Sequence, residues 1–196
     1  MDKLKTTDMR ISKLISSLTE LTNIALKDDP VACQLVFYNM KYIILEECHY
    51  FSYNVNLEII EKNDEINGRY NLEDSTIQIV IEDKSNMAIV NTMAHELRHA
   101  FQHYNGWLHL SFTQKDNHSK VVENYMYSLE DFPTEEEHVR QVLYRTSWHE
   151  IDARRYARWF TGGGIGDFKE TENFDINEDN IGKELISQLL RMGELE

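Results

Sequence analysis

Leu14, Ile15, Leu18, Leu21, Ile24 and Ala25 recur at helical spacing and predict an amphipathic helix over residues 7–27, with Pro30 just beyond its end. Residues 31–44 form an apolar run that fits a second helix. The period then changes. Val55, Leu57 and Ile59 alternate with polar residues, and Ile77, Ile79 and Ile81 alternate with Thr76, Gln78 and Val80. Between these runs Asn67-Gly68 reads as a turn. The pattern predicts a small twisted sheet over residues 54–82, the second strand ending at Glu82-Asp83.

Beyond the sheet the helical period returns. Val90, Ala94, Leu97, Phe101 and Tyr104 fall on one side of a helix over residues 85–104, a stripe suited to face a core. Residues 119–129 and 135–145 read as helical too. A helix over residues 147–160 is closed by Gly162-Gly163-Gly164. Residues 167–179 are acidic and polar, and Leu185, Ile186, Leu189 and Leu190 mark a last short helix over 181–192. Helices, then strands, then helices define an α+β chain.

Composition narrows the function. The 196 residues are 41% hydrophobic and 28% charged, which suits one domain able to bury a core without disulfide staples. A formal net charge of −14 repels a phosphate backbone, so nucleic acid is not an expected partner. The local run Glu130, Asp131, Glu135, Glu136, Glu137 reads as a solvated surface. Residues 1–10 carry charge without an apolar run, which predicts no secretory signal. No stretch approaches the roughly 20 apolar residues of a membrane span, so no membrane partner is expected. Cys33 and Cys48 fit free thiols in a reducing cytoplasm.

The chemistry concentrates in Ala94-His95-Glu96-Leu97-Arg98-His99-Ala100, an H-E-x-x-H pattern. On a helix, His95 and His99 stack on one face, so two imidazoles reach one ion about 2.0–2.1 Å away. Leu97 falls on the opposite, core-facing side. Glu96 is offset from the metal line and placed to take a proton from a water that zinc binds. His103 continues the face four residues after His99, but three such histidines span about 12 Å, too far for one ion. It reads as a cleft-wall or supporting residue.

A catalytic zinc wants a third protein ligand and one open position. The helix over 147–160 offers His149, Glu150 and Asp152. Glu150, Ala153 and Ala157 share a face, so the carboxylate can aim across a gap that small residues leave narrow. Glu150 is therefore the first candidate, with Asp152 and His149 as alternatives. Asp152 can instead orient a ligand imidazole through its second nitrogen. Tyr144, His149, His103, Tyr156 and Arg154 are candidates to stabilise a developing oxyanion.

H-E-x-x-H followed by E-x-x-A-x-x-x-A on a later helix resembles the gluzincin group of zinc metallopeptidases. The segment 70–160 resembles the compact ImmA/IrrE-like peptidases of bacteria and mobile elements and also the membrane-bound M48 type, against which the lack of a transmembrane segment argues. The resemblance implies a compact zincin-like domain, with a small twisted sheet packed on the H-E-x-x-H helix and with an N-terminal helix. It also implies Zn2+ held by His95, His99 and Glu150, with Glu96 as general base and a peptide or protein as substrate. A sheet edge beside the metal helix would hold an extended peptide, and residues 76–81 stand in the place for it. On this reading residues 1–196 are one domain: a mainly helical part over 1–50, a catalytic core over 51–165, and an acidic segment with a C-terminal helix over 166–196. The sequence departs from the pattern at Arg154, where the families usually show Asn or Asp, and at Arg158-Trp159-Phe160-Thr161-Gly162, where they continue apolar.

Two other readings compete. Peptide deformylase joins the same motif to an upstream cysteine ligand, but the residues around Cys48 lack its glycine-cysteine-leucine signature. A zinc-binding regulatory or interaction module without catalysis would not need Glu96, and a structural zinc usually has four protein ligands.

Overall fold

The computed structural model describes residues 3–20, 25–46, 54–60, 66–105 and 148–164. They form an α+β arrangement: α1 (Lys3–Glu20), α2 (Pro30–Glu46), β1 (Asn56–Ile60), β2 (Gly68–Asn71), β3 (Thr76–Val80), α3 (Asn86–Tyr104) and α4 (Trp148–Thr161). The helices expected over 119–129, 135–145 and 181–192, and the acidic segment 167–179, lie outside the described residues. The chain divides into two compact units. Met1–Asn105 and Ala153–Lys169 make the first, which holds α1, α2, α3, the sheet and most of α4. The second, Gly106–Asp152 and Glu170–Glu196, supplies the described residues with the opening turn of α4, a helix that runs on unbroken to Thr161.

The predicted first helix is shifted. Within the described residues α1 ends at Glu20, and Ala25 to Asp28 form a turn closed by the Asp28 N–H on the Ala25 carbonyl at 2.9 Å. The reason is local: Asp29 Oδ1 accepts from the Ala32 N–H at 2.9 Å and Pro30 opens α2, a cap followed by a first-turn proline. One face of α2 supplies Cys33, Val36, Phe37, Met40, Ile43 and Ile44 to the core. Burial, with Asp29 adding to it, pushes the Cys33 thiol up to about 11. Lys41 donates to the Val55 carbonyl at 2.9 Å and ties α2 to the start of β1.

The sheet corrects the sequence reading in two respects. Gly68 opens a strand rather than a turn, and the hairpin turn is Leu72 to Ser75, with Ser75 at φ 55. Strand β2, Gly68-Arg69-Tyr70-Asn71, has no alternation of aliphatic residues to announce it. The order is β1-β3-β2, with β1 parallel and β2 antiparallel to β3. Residues 76–80 are therefore the central strand, hydrogen-bonded on both sides, and cannot be the edge that receives a peptide. Ile77 and Ile79, both fully buried, define the inner face, with Tyr70 and Gly68 as their partners on β2. On the other face Gln78 donates to Glu58 at 2.6 Å and accepts from Arg69 at 2.8 Å, a polar row across all three strands.

Helix α3 crosses the inner face. The Ser85 hydroxyl caps it by accepting from the Ala88 N–H at 3.2 Å. Val90, Ala94 and Leu97 are fully buried and Phe101 nearly so, as the stripe predicts. Helix α4 reaches α3 through long side chains: buried Arg98 lies 4.2 Å from the Phe101 ring and 5.0 Å from that of Tyr156. Its C-terminus ends on α1. Ser12 donates to the Gly163 carbonyl at 3.0 Å, and Gly164, at φ +61, sits where a Cβ would come within 2.7 Å of Ile11 Cδ1. Gly164→Ala meets both a left-handed backbone and a clash with a buried side chain. It is expected to cost about 1–3 kcal/mol, read as a lowered unfolding midpoint in denaturant.

Candidate metal centre

The four-residue spacing of His95 and His99 stacks their rings edge to face, with centroids 4.6 Å apart. Their Nε2 atoms lie 3.0 Å from each other. One ion at 2.0–2.1 Å from both, at a tetrahedral angle, would set them about 3.3 Å apart, so a shift of a few tenths of an ångström admits it. Glu150, on the first turn of α4, completes the set: one ligand atom each from His95, His99 and Glu150 lie within 4.8 Å of one another. His99 and Glu150 are buried and His95 is half-buried. Two neutral imidazoles and one carboxylate are a donor set for a divalent cation, and this group can hold a metal ion. Asp152 is fully buried and His149 half-buried, and both stand outside that group. Tyr144 lies outside the described residues.

Gln102 supports the site from beneath. It is fully buried, and its Oε1 lies 2.8 Å from His99 Nδ1. With Nδ1–H donating to that oxygen, the His99 proton is held on Nδ1 and the Nε2 lone pair faces His95 and Glu150. The sequence reading passed over Gln102, although its place three residues after His99, on the same side of the helix, was the available signal. Gln102→Leu keeps the volume and removes the acceptor. It is expected to weaken binding of a divalent metal ion by about 10–100-fold in a competition titration with a chelator, while Gln102→Glu retains tight binding.

Gly68 is the second missed residue. A Cβ there would stand 2.5 Å from Thr92 Cγ2 and 3.2 Å from Glu96 Cγ. The bare backbone therefore lets β2 pass directly over the helix at the motif glutamate, the close approach that a glycine inside a strand often signals. Glu96 is buried, 6% exposed, beneath it. Two residues further along β2, the Tyr70 hydroxyl lies 2.9 Å from His103 Nδ1. Burial pushes the Tyr70 phenol well above its ordinary range, so it stays protonated. His103 thus contacts β2 and stands outside the ligand group. Tyr156, offered as an oxyanion donor, is instead buried, with its ring beside Arg98, Trp159 and Phe160.

Comparison of the chain with protein-family models, with curated proteins and with solved structures finds no match. Among the described residues, no helix is long and apolar enough to cross a membrane.

Proposed function

We propose that the chain is a zinc-dependent peptidase of gluzincin type, with His95, His99 and Glu150 as ligands and Glu96 as general base. The observation that carries the reading is the convergence of three ligand atoms within 4.8 Å, from two helices, beside a buried glutamate that is not one of them. A structural zinc site closes with four protein ligands and has no use for such a base.

A bound zinc would supply Lewis acidity and bring the pKa of a coordinated water to about 7. The chain's own residues do the rest. Glu96, one residue past His95, accepts the proton of the attacking water and returns it to the leaving amine. Gln102 keeps the His99 lone pair directed at the site. The backbone of β2 supports a peptide substrate. The Val80 N–H donates to the Asn67 carbonyl at 2.9 Å, so by antiparallel alternation Gly68 and Tyr70 turn their N–H and C=O groups away from β3. An extended peptide added to that edge runs beside Glu96, whereas β3 has no free side to offer.

The deciding experiment pairs elemental analysis of purified protein with hydrolysis of a mixed peptide pool followed by mass spectrometry. About one zinc per chain is expected, with cleavage abolished by a chelator and restored by zinc. Protein that stays metal-free after reconstitution would overturn the reading. Stoichiometric zinc without cleavage would favour a regulatory zinc-binding module.

A further inference from the structure

We infer that the outer face of α2 is a homodimer interface, in which two copies of the chain pair their α2 helices antiparallel about a two-fold axis. Among its 17 residues α2 carries only Lys41 and Glu46 as charged side chains. Such an evenly apolar helix is expected to be covered on all sides. One side is the core described above. The other bears Val31, Leu35, Tyr38 and Tyr42, exposed by 67%, 59%, 54% and 53%. Single exposed apolar residues are ordinary, but these four are contiguous. Their spacing of four, three and four is the seam by which one helix receives another, running for about 16 Å. Alongside it a groove of about 720 Å³ opens between α1 and α2, with Leu14, Leu18, Val36 and Ile43 in its lining.

Charge at the two ends of the seam selects a second copy as the occupant. Asp29, the cap of α2, lines one end of the groove. Arg10 lines the other, with its guanidinium 5.5 Å from the centre of the Tyr42 ring, and Lys13, three residues on, adds a second cation to the groove. A two-fold axis between Leu35 and Tyr38 sets Val31 against the partner's Tyr42 and Leu35 against the partner's Tyr38. The same operation carries each Asp29 toward the partner's Arg10. Parallel pairing would instead oppose Asp29 to Asp29 and Arg10 to Arg10. The surface is therefore self-complementary in the antiparallel sense, as an isologous interface requires. The seam itself holds no charged side chain, so chains of net charge −14 meet where their repulsion is least.

The inference does not depend on the metal reading. Sedimentation velocity on the full chain, from ~1 to ~100 μM, brackets a micromolar Kd. The expected result is a monomer-to-dimer transition in that range. Leu35→Glu and Tyr38→Glu each leave the protein monomeric, and at ~1 μM, where wild type is monomeric too, the melting temperature is unchanged because both side chains are exposed. Arg10→Glu weakens association about tenfold, since two symmetric pairs become repulsive. Orientation is read by mixing Leu35→Cys and Tyr38→Cys proteins under mild oxidation: mixed 35–38 disulfides are expected over 35–35. Wild type that remains monomeric at ~100 μM overturns the inference. So does a dimer indifferent to both glutamate variants, or a predominance of 35–35 disulfides. A monomer whose positions 35 and 38 resist thiol labelling after cysteine substitution would assign the face to another segment of the same chain and equally overturn it.

Discussion

Replacing Glu96 with glutamine is expected to leave about one zinc per chain and to lower peptide hydrolysis by about 10²–10⁴-fold, the range over which a positioned general base contributes. The substitution keeps the shape of a side chain that is 6% exposed and packed under β2, and Gly68 leaves the room it occupies. It removes only the ability to take a proton. Folding and metal content are therefore expected to stay as in wild type, and the loss falls on kcat. Full activity in Glu96→Gln would remove the proposed mechanism. Loss of zinc in that variant would show that Glu96 serves the metal directly, and the ligand set would have to be redrawn.

The second large effect separates the carboxylates of α4. Glu150→Ala is expected to weaken zinc binding by well over the ~10–100-fold typical of a supporting residue, because it removes one of the three proposed protein ligands. Asp152→Asn is expected to keep stoichiometric zinc and to show its cost in stability, since Asp152 is fully buried and lies outside the ligand group. His99→Ala should match Glu150→Ala in metal loss. The measurement is elemental analysis of the purified variants, followed by titration against a chromophoric chelator. Zinc retained in Glu150→Ala and lost in Asp152→Asn would exchange the roles of the two residues.

These expectations rest on features of unequal visibility in the chain. The pairing of His95 with His99 follows from helical geometry alone, because residues four apart on a 3.6-residue period share a face whatever surrounds them. The burial of Val90, Ala94 and Leu97 follows from the same period, and the ends of α3 and α4 from Ser85 and the glycine run at 162–164. Glu150 was legible as a first candidate from its place beside Ala153 and Ala157. Its convergence with the histidines depends on a helix crossing that no local pattern encodes.

The supporting residues were harder to see. Strand β2 contains one large side chain on its inner face, Tyr70, and a glycine, so alternation gave no sign of it and Asn67-Gly68 looked like a turn. The strand exists because β3 offers it a ladder. That pairing turned the expected edge, residues 76–80, into the centre of the sheet and, among the described residues, made β2 one of its edge strands. Gln102 was visible as a residue but not as an acceptor for His99, because its role depends on how it is buried against the ring. In the same way α2 showed its apolar content but not which face would remain open.

The sequence by itself determined the helices α2, α3 and α4, the core stripe of α3, and the placing of His95, Glu96 and His99 along one helix. Only the tertiary structure decided the order of the strands, the approach of β2 over Glu96, the convergence of Glu150, the Gln102 contact and the exposed seam of α2. The physical reason is range. Side-chain direction along a helix is fixed by backbone geometry within a few residues, whereas strand order, helix crossing and the face left uncovered are settled by contacts between segments far apart in the chain.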